Sequence, residues 1–427
     1  MIIDFTVENF RSIKEPVTLS LVAQSRAKGG SPTRAGVKAD DEIARPYLIP
    51  ERGLKLLPVA GIFGPNASGK SNVIRALDQI LVLMRFGSED RAKAISYGFV
   101  PFKLDPHAST LPTTFTIRLQ LDSTIFTYQL SIREGFILSE RLEHMPRGKR
   151  KSLLYERVFS QSRKSVTWRN GQDFDGPHTQ LQNTIRNYEP FIALIANRLD
   201  VSSITPLSNW LRRWWPGIGI GLNEYDYEIA TQIGYEIPEI QELVSKQLRQ
   251  FDTGLAEVQI RKKDGGVDDS DNYSVVASHE TQYGRVEWSL KEESTGTQHL
   301  FSLLYRIMYA TISGTSIILD EIELSNIHPS ITHAIVRMFQ DEKTNPKRAQ
   351  LIFNSHDYTL MHGNLMRRDQ IWFTQKRKDG STELYPLTDF HPRNDLAIDK
   401  AYIDGRFGAV PILPADEDLL PTEEFVG

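Results

Sequence analysis

The stretch Gly61-Ile62-Phe63-Gly64-Pro65-Asn66-Ala67-Ser68-Gly69-Lys70-Ser71-Asn72 decides the fold. Gly64, Gly69, Lys70 and Ser71 satisfy the phosphate-loop pattern G-x-x-x-x-G-K-[ST]. Leu56 to Phe63, just before it, reads as a short buried strand. Asn72 to Met84, just after it, carries Val73, Ile74, Ala76, Leu77, Ile80, Leu81 and Leu83 at helical spacing. Strand, glycine loop and helix is the context the pattern requires. The glycines let backbone N–H groups turn inward around an anion, and the helix N-terminus adds partial positive charge. Asn66, Ala67, Ser68, Gly69, Lys70, Ser71 and Asn72 are therefore expected to line a nucleotide site. Lys70 would reach the β- and γ-phosphates of ATP, and the Ser71 hydroxyl would ligate Mg2+. The competing reading is a glycine turn ahead of a surface helix.

Three further segments follow in an informative order. Ser316 to Glu323, SIILDEIE, is an apolar run ending in Asp320-Glu321. It reads as a buried strand that delivers two carboxylates at the end where α/β sheets bind ligands. Asp320 suits the Mg2+ shell, and Glu321 suits a general base that orients water. Lys291 to Phe301, KEESTGTQHLF, places Ser294 and Gly296 before an apolar helix. That is either an ordinary N-cap or a second anion-facing segment. Leu351 to Leu360, LIFNSHDYTL, ends a third apolar run near His356, which could face a γ-phosphate.

The order of phosphate loop, Ser-x-Gly segment, acidic strand and histidine strand resembles the ATP-binding-cassette class of ATPases. The resemblance implies a two-lobe α/β nucleotide-binding fold and a homodimer with two composite sites. In such a dimer, Ser294 and Gly296 of one subunit close over ATP held by the phosphate loop of the other. Val7-Glu8-Asn9-Phe10-Arg11-Ser12-Ile13 and Glu293-Ser294-Thr295-Gly296-Thr297-Gln298 resemble RecF-, SMC- and OLD-type members. Lys55 to Pro58, the loop itself, Phe102-Lys103-Leu104, Arg368 to Phe373 and Thr382 to Leu387 resemble the bacterial AAA15/AAA_21 family. Tyr402 to Pro411 is similar to the tail of RloA/AbiLi-type ATPases, and the Septu PtuA-type anti-phage ATPases are similar too. One departure concerns His328. Leu324-Ser325-Asn326 precede Ile327-His328-Pro329, where family members have a shorter spacing, so a role for His328 stays open.

Composition bounds the remaining choices. The chain has 427 residues, a formal charge of −4 and no cysteine. Disulfides and thiolate zinc sites are excluded. The charge gives no global pull toward nucleic acid or membrane. The N-terminus lacks the pattern of a secretory signal, and no apolar run nears the ~18 residues of a membrane helix. A cytoplasmic protein with no membrane partner is expected. Residues 1–155 read as a strand-rich first lobe, 156–285 as a mostly helical insert, and 286–427 as a second lobe with signature, acidic strand and histidine switch. Within these, Phe115 to Leu121, Phe126 to Ile132 and Phe136 to Leu142 alternate as antiparallel strands. The basic run Arg147 to Lys151 lies in a turn between strands. Ile185 to Leu199 and Ile204 to Trp215 read as short helices. Asn209 to Trp215, NWLRRWW, admits three readings: helical core, protein interface or nucleic-acid contact. Ala27 to Asp41, Lys262 to Asp271 and the tail after Pro411 read as polar loops or fraying ends.

OLD-type nucleases carry a Toprim domain after the ATPase, whereas only 71 residues follow His356 here. The expectation is an ATPase subunit of a bacterial anti-phage or abortive-infection system. It would form dimers or higher assemblies around ATP and gate a separate nuclease or toxin. The alternative is a RecF-like DNA-binding repair ATPase without an effector.

Overall fold

A computed structural model describes residues 1–24, 43–87, 99–160, 162, 164–199, 201–217, 224–251, 254–262, 273–323, 327–363, 365–393 and 396–411. The polar stretches expected at 27–41 and 262–271 lie outside the described residues, apart from Lys262 itself. Leu324 to Asn326 and the tail beyond Pro411 lie outside them as well.

The elements run in chain order as β1 (Ile2–Glu8), β2 (Val17–Ser20), β3 (Tyr47–Ile49), β4 (Leu54–Leu56), β5 (Val59–Phe63) and helix α1 (Lys70–Phe86). Five strands follow: β6 (Thr113–Leu121), β7 (Thr124–Arg133), β8 (Phe136–Met145), β9 (Ser152–Ser160) and β10 (Ser165–Asn170). Next come helices α2 (His178–Thr184), α3 (Phe191–Arg198), α4 (Thr205–Arg213), α5 (Glu224–Glu236) and α6 (Pro238–Gln250). Then come β11 (Glu257–Lys262), β12 (Tyr273–Thr281), β13 (Gly284–Ser289), α7 (Thr295–Ser313), β14 (Ser316–Leu319) and α8 (Pro329–Gln340). The last elements are β15 (Gln350–Asn354), β16 (Ile371–Lys376), β17 (Thr382–Pro386) and α9 (Ile398–Ile403).

These form a mixed α/β fold with two main sheets. One is antiparallel, in the order β10-β9-β8-β7-β6-β1-β2. The other is ordered β14-β15-β5-β16-β17, with its first four strands parallel and β17 antiparallel. Alternation along the second sheet sorts its side chains into two cores. Ala60, Ile62, Ile318, Ile352 and Trp372 join α1, α3, α4 and the antiparallel sheet. Val59, Phe63, Leu319, Leu351, Phe353 and Phe373 join α5, α6, α7 and α8. The parallel sheet is thus buried on both faces, which explains its near-continuous apolar strands. Helix α1 lies between the two sheets. A buried amide ties them together where β15 and β1 begin: Gln350 Nε2 donates to the carbonyls of Ile2 (3.0 Å) and, in the turn before β5, Leu57 (3.1 Å).

Some expected boundaries move. The strand read over 56–63 is two, β4 and β5, broken at Leu57-Pro58. The helix read over 185–199 starts only at Phe191, after Pro190. The 155/156 division falls inside β9, whose pairing with β8 and β10 carries the first sheet on to Asn170. The 285/286 division falls inside β13. The helices of the intervening segment, α2 to α6, are followed by a three-stranded sheet, β11-β12-β13. In NWLRRWW, Trp210 and Trp214 are buried in the first core, and Trp215 is half-buried under the Arg85 guanidinium at 4.6 Å. Packing therefore accounts for these three aromatics.

Candidate functional site

The parallel sheet sets the geometry of the site. β14, β15 and β5 are adjacent and parallel, so their C-terminal ends lie side by side. These ends deliver Asp320, Asn354 and the glycine loop respectively. A groove of about 270 Å3 opens there, lined by residues 66–72, Glu321 and His356. Seven of the expected nucleotide-contacting residues, together with Glu321 and His356, are thus brought together.

The loop's shape depends on its glycines. Gly64 has φ +148° and Gly69 φ +111°. A Cβ at Gly64 would collide with the Thr374 carbonyl, and one at Gly69 with the Thr382 side chain. Those same threonines brace the loop. Thr382 Oγ1 donates to the Ser68 carbonyl (2.8 Å), and the Ser68 and Thr374 hydroxyls meet at 2.7 Å. Asn72 Nδ2 donates to Ser12 Oγ at 2.6 Å, which ties the start of α1 to the turn after β1.

Lys70 is buried. Its Nζ donates to the Gly64 (2.8 Å) and Pro65 (3.1 Å) carbonyls and lies 3.5 Å from His356 Nδ1. Burial pushes its pKa down to about 8, against the opposing pull of Glu323, Glu321 and Asp320.

Asp320 is buried, and Asn354 holds it. Asn354 Nδ2 donates to Asp320 Oδ1 (2.6 Å) and reaches Ser71 Oγ (3.4 Å), and its Oδ1 accepts from the Glu321 backbone N–H. That hydrogen bond supports Glu321 at φ +61°, in the left-handed region a glutamate rarely adopts. The Glu321 carboxylate stands 4.0 Å from His356 Nε2. Glu323 accepts from the His356 backbone N–H and so fixes the histidine segment.

A divalent cation fits these residues. Asp320 Oδ2 is buried and accepts no hydrogen bond, and the Asn354 amide that holds Oδ1 also reaches the Ser71 hydroxyl. A hydroxyl and a carboxylate are the hard oxygen donors Mg2+ prefers, the rest of its shell coming from phosphate and water. Among the described residues, no group of three or more His, Asp or Glu could hold a metal by itself.

Ser294 and Gly296 are not among the residues lining the groove. Ser294 is exposed and caps α7, its Oγ accepting from the Thr297 N–H at 3.2 Å. Trp288 Nε1 donates to Glu293 Oε1 (2.7 Å), and His279 Nε2 lies 2.7 Å from the same oxygen, so the residue before Ser294 is firmly held. His328 caps α8: its Nδ1 accepts from the Ser330 N–H at 3.2 Å.

Sequence reasoning missed Asn354, Thr374, Thr382, Ser12, Glu323 and Arg75. Only Asn354 carried a local signal. It ends the strand that leads to His356, at the level where neighbouring strands deliver their polar residues.

Among the described residues, no helix is long and apolar enough to cross a membrane. No curated protein matches the chain. Similar solved structures include the SMC head domain from Thermotoga maritima, at 12% identity and TM-score 0.40, covering 90% of this chain and 98% of that one. The recombination mediator RecF-ATPrS of the RecFOR pathway is similar at 11% identity and TM-score 0.32, with 90% and 98% covered. RecF-ATP of that pathway follows at 12% and 0.34, with 90% and 97% covered. These likenesses are distant. Residues 59–362 match the family AAA_21, described as "AAA domain, putative AbiEii toxin, Type IV TA system", and the chain belongs to that family.

Proposed function

We propose that this groove binds ATP with Mg2+ and hydrolyses it to ADP and phosphate. The observation that carries the reading is the convergence of the 66–72 loop, Glu321 and His356 on one groove, with Asp320 and Ser71 bridged by Asn354 behind it. Ser71 and Asp320 would hold Mg2+, which when bound neutralises phosphate charge. The loop N–H groups and Lys70 take the phosphates. Glu321 orients the attacking water and accepts its proton. His356, between Lys70 and Glu321, faces the terminal phosphate. Lys70→Ala should abolish binding of a fluorescent ATP analogue. Glu321→Gln should bind it normally while phosphate release falls by about 100-fold or more. Hydrolysis at the wild-type rate in Glu321→Gln would remove Glu321 from the role of base.

Ser294 and Gly296 stand away from their own chain's groove, exposed or half-exposed at the start of a 19-residue helix. This supports a homodimer in which they close a partner's site, alone or within a higher assembly. The family's description names a toxin and a toxin–antitoxin system. That wording fits a defence setting, and we read the chain there as a cytoplasmic ATPase that gates a separate effector, a nuclease or toxin. The division into two lobes and an insert belongs to the same reading. Purification of the tagged chain expressed with its neighbouring genes tests the gating. A stoichiometric second protein supports it. A homo-oligomer whose hydrolysis is stimulated by DNA would favour a repair ATPase instead.

A further inference from the structure

The Asp320 carboxylate has one oxygen in use and one that accepts no hydrogen bond. Oδ1 takes the Asn354 amide, while Oδ2 faces the Arg75 guanidinium at 3.4 Å. Arg75 lies just over one turn beyond Ser71 on α1 and is itself 38% exposed, whereas the Asp320 side chain is 2% exposed. A buried carboxylate is costly without a compensating charge. The guanidinium supplies that charge at the oxygen that no hydrogen bond occupies. Arg11 is close enough that its own pKa is lowered, first by burial and then by repulsion from Arg75.

We propose that Arg75 is a built-in counter-ion for Asp320, and that it must leave this carboxylate for a divalent cation to bind between Asp320 and Ser71. The inference rests on the ATP reading and adds a regulatory step to it. A divalent cation beside Asp320 Oδ2 would stand against the guanidinium. Only one of the two cations can be accommodated at that oxygen. Arg75 is half-exposed and can swing into solvent at little cost. Cation binding and Arg75 release are then linked. Arg75 lowers the site's affinity for the cation and keeps Asp320 compensated until the cation arrives.

The test uses the full-length chain, Mn2+ followed by electron paramagnetic resonance, and a fluorescent ATP analogue. In the nucleotide complex, Arg75→Gln should bind Mn2+ roughly 3- to 10-fold more tightly than wild type. Arg75→Lys keeps the charge and should stay within about twofold of wild type. Nucleotide binding in the presence of a chelator reports that each variant is folded. Unchanged or weaker Mn2+ binding in Arg75→Gln, with normal nucleotide binding, overturns the inference alone. A Lys variant as tight as the Gln variant also overturns it. If wild-type protein binds nucleotide no better than Lys70→Ala, the ATP reading falls and this inference falls with it.

Discussion

Asn354 shows how much of the site depends on one side chain that takes no part in the chemistry. It is fully buried, and its amide is shared among Asp320, Ser71 and the backbone of Glu321. β15 lies between β14 and β5, so its last residue sits between the acidic pair and the glycine loop. Asn354→Ala would leave the Glu321 N–H and a buried carboxylate oxygen without their partner. It should cost about 1–3 kcal/mol by denaturant unfolding. ATP hydrolysis should fall further than that loss of stability accounts for, because Glu321 then loses support for its left-handed backbone. Unchanged hydrolysis in a folded variant would remove Asn354 from this role. Lys70 adds a pH dependence. Its folded pKa is about 8, below the ordinary 10.5, because burial disfavours the ammonium. Between those values the unfolded chain keeps a proton that the folded chain has lost, so this group's contribution to stability rises with pH across that window. Phosphate binding runs the other way, since it needs the charged form. Affinity for the ATP analogue should therefore fall above pH 8, by at most about tenfold per pH unit. In Lys70→Arg it should stay flat over the same range, and a parallel fall there would place the titration elsewhere.

At the scale of elements, α3 is docked by a single buried carboxylate. Glu140 on β8 accepts from the Tyr128 (3.0 Å) and Tyr155 (2.8 Å) hydroxyls and from the first two N–H groups of α3, Phe191 (2.9 Å) and Ile192 (3.0 Å). It also pairs with the buried Arg157 at 2.8 Å. The helix N-terminus thus receives a negative charge where its N–H groups lack intrahelical partners. Glu140→Ala leaves Arg157 without its carboxylate and should cost about 3–5 kcal/mol. Hydrogen exchange at residues 191–198 should quicken with it; protection there as in wild type would show that α3 is held by its apolar face alone. None of these contacts was legible in the sequence. The glycine loop was, because Gly64 and Gly69 answer a local backbone demand and the flanking patterns are local too. The strand ends at Asp320 and His356 were legible because buried parallel strands read as short apolar runs. Thr374, Thr382, Asn354 and Glu140 act across long sequence separations, and the identity of a threonine or a glutamate says nothing about a partner that the fold alone brings near. β9 and β10 were cut short for a related reason. Their many half-exposed and exposed positions make them look like the start of a loop-and-helix region, yet β9 pairs with β8 and β10 pairs with β9.

For the molecule as a whole, the groove lies at one end of a sheet buried between two cores, while Ser294 is exposed at the start of α7 and lines no part of that groove. The capping contact by itself would serve a helix end of any kind. Two features suggest more: the Trp288 and His279 side chains that hold Glu293, and the glycine that follows two residues after Ser294. A two-fold dimer that places this segment over a partner's loop would make every site depend on two chains. The dependence can be measured by mixing two inactive variants. Lys70→Ala removes the phosphate-binding ammonium, and Ser294→Arg blocks the segment that would close the partner's groove. Each homodimer should be inactive, although Ser294→Arg should still bind the ATP analogue. On random exchange of subunits, half of the dimers are mixed, and each mixed dimer has one site with both parts intact. Activity should then recover to about a quarter of wild type if the sites act independently. Activity that stays at zero in a mixture shown to contain mixed dimers would argue against sites that two chains share and that act independently. Full activity of Ser294→Arg alone would confine Ser294 to capping its own helix.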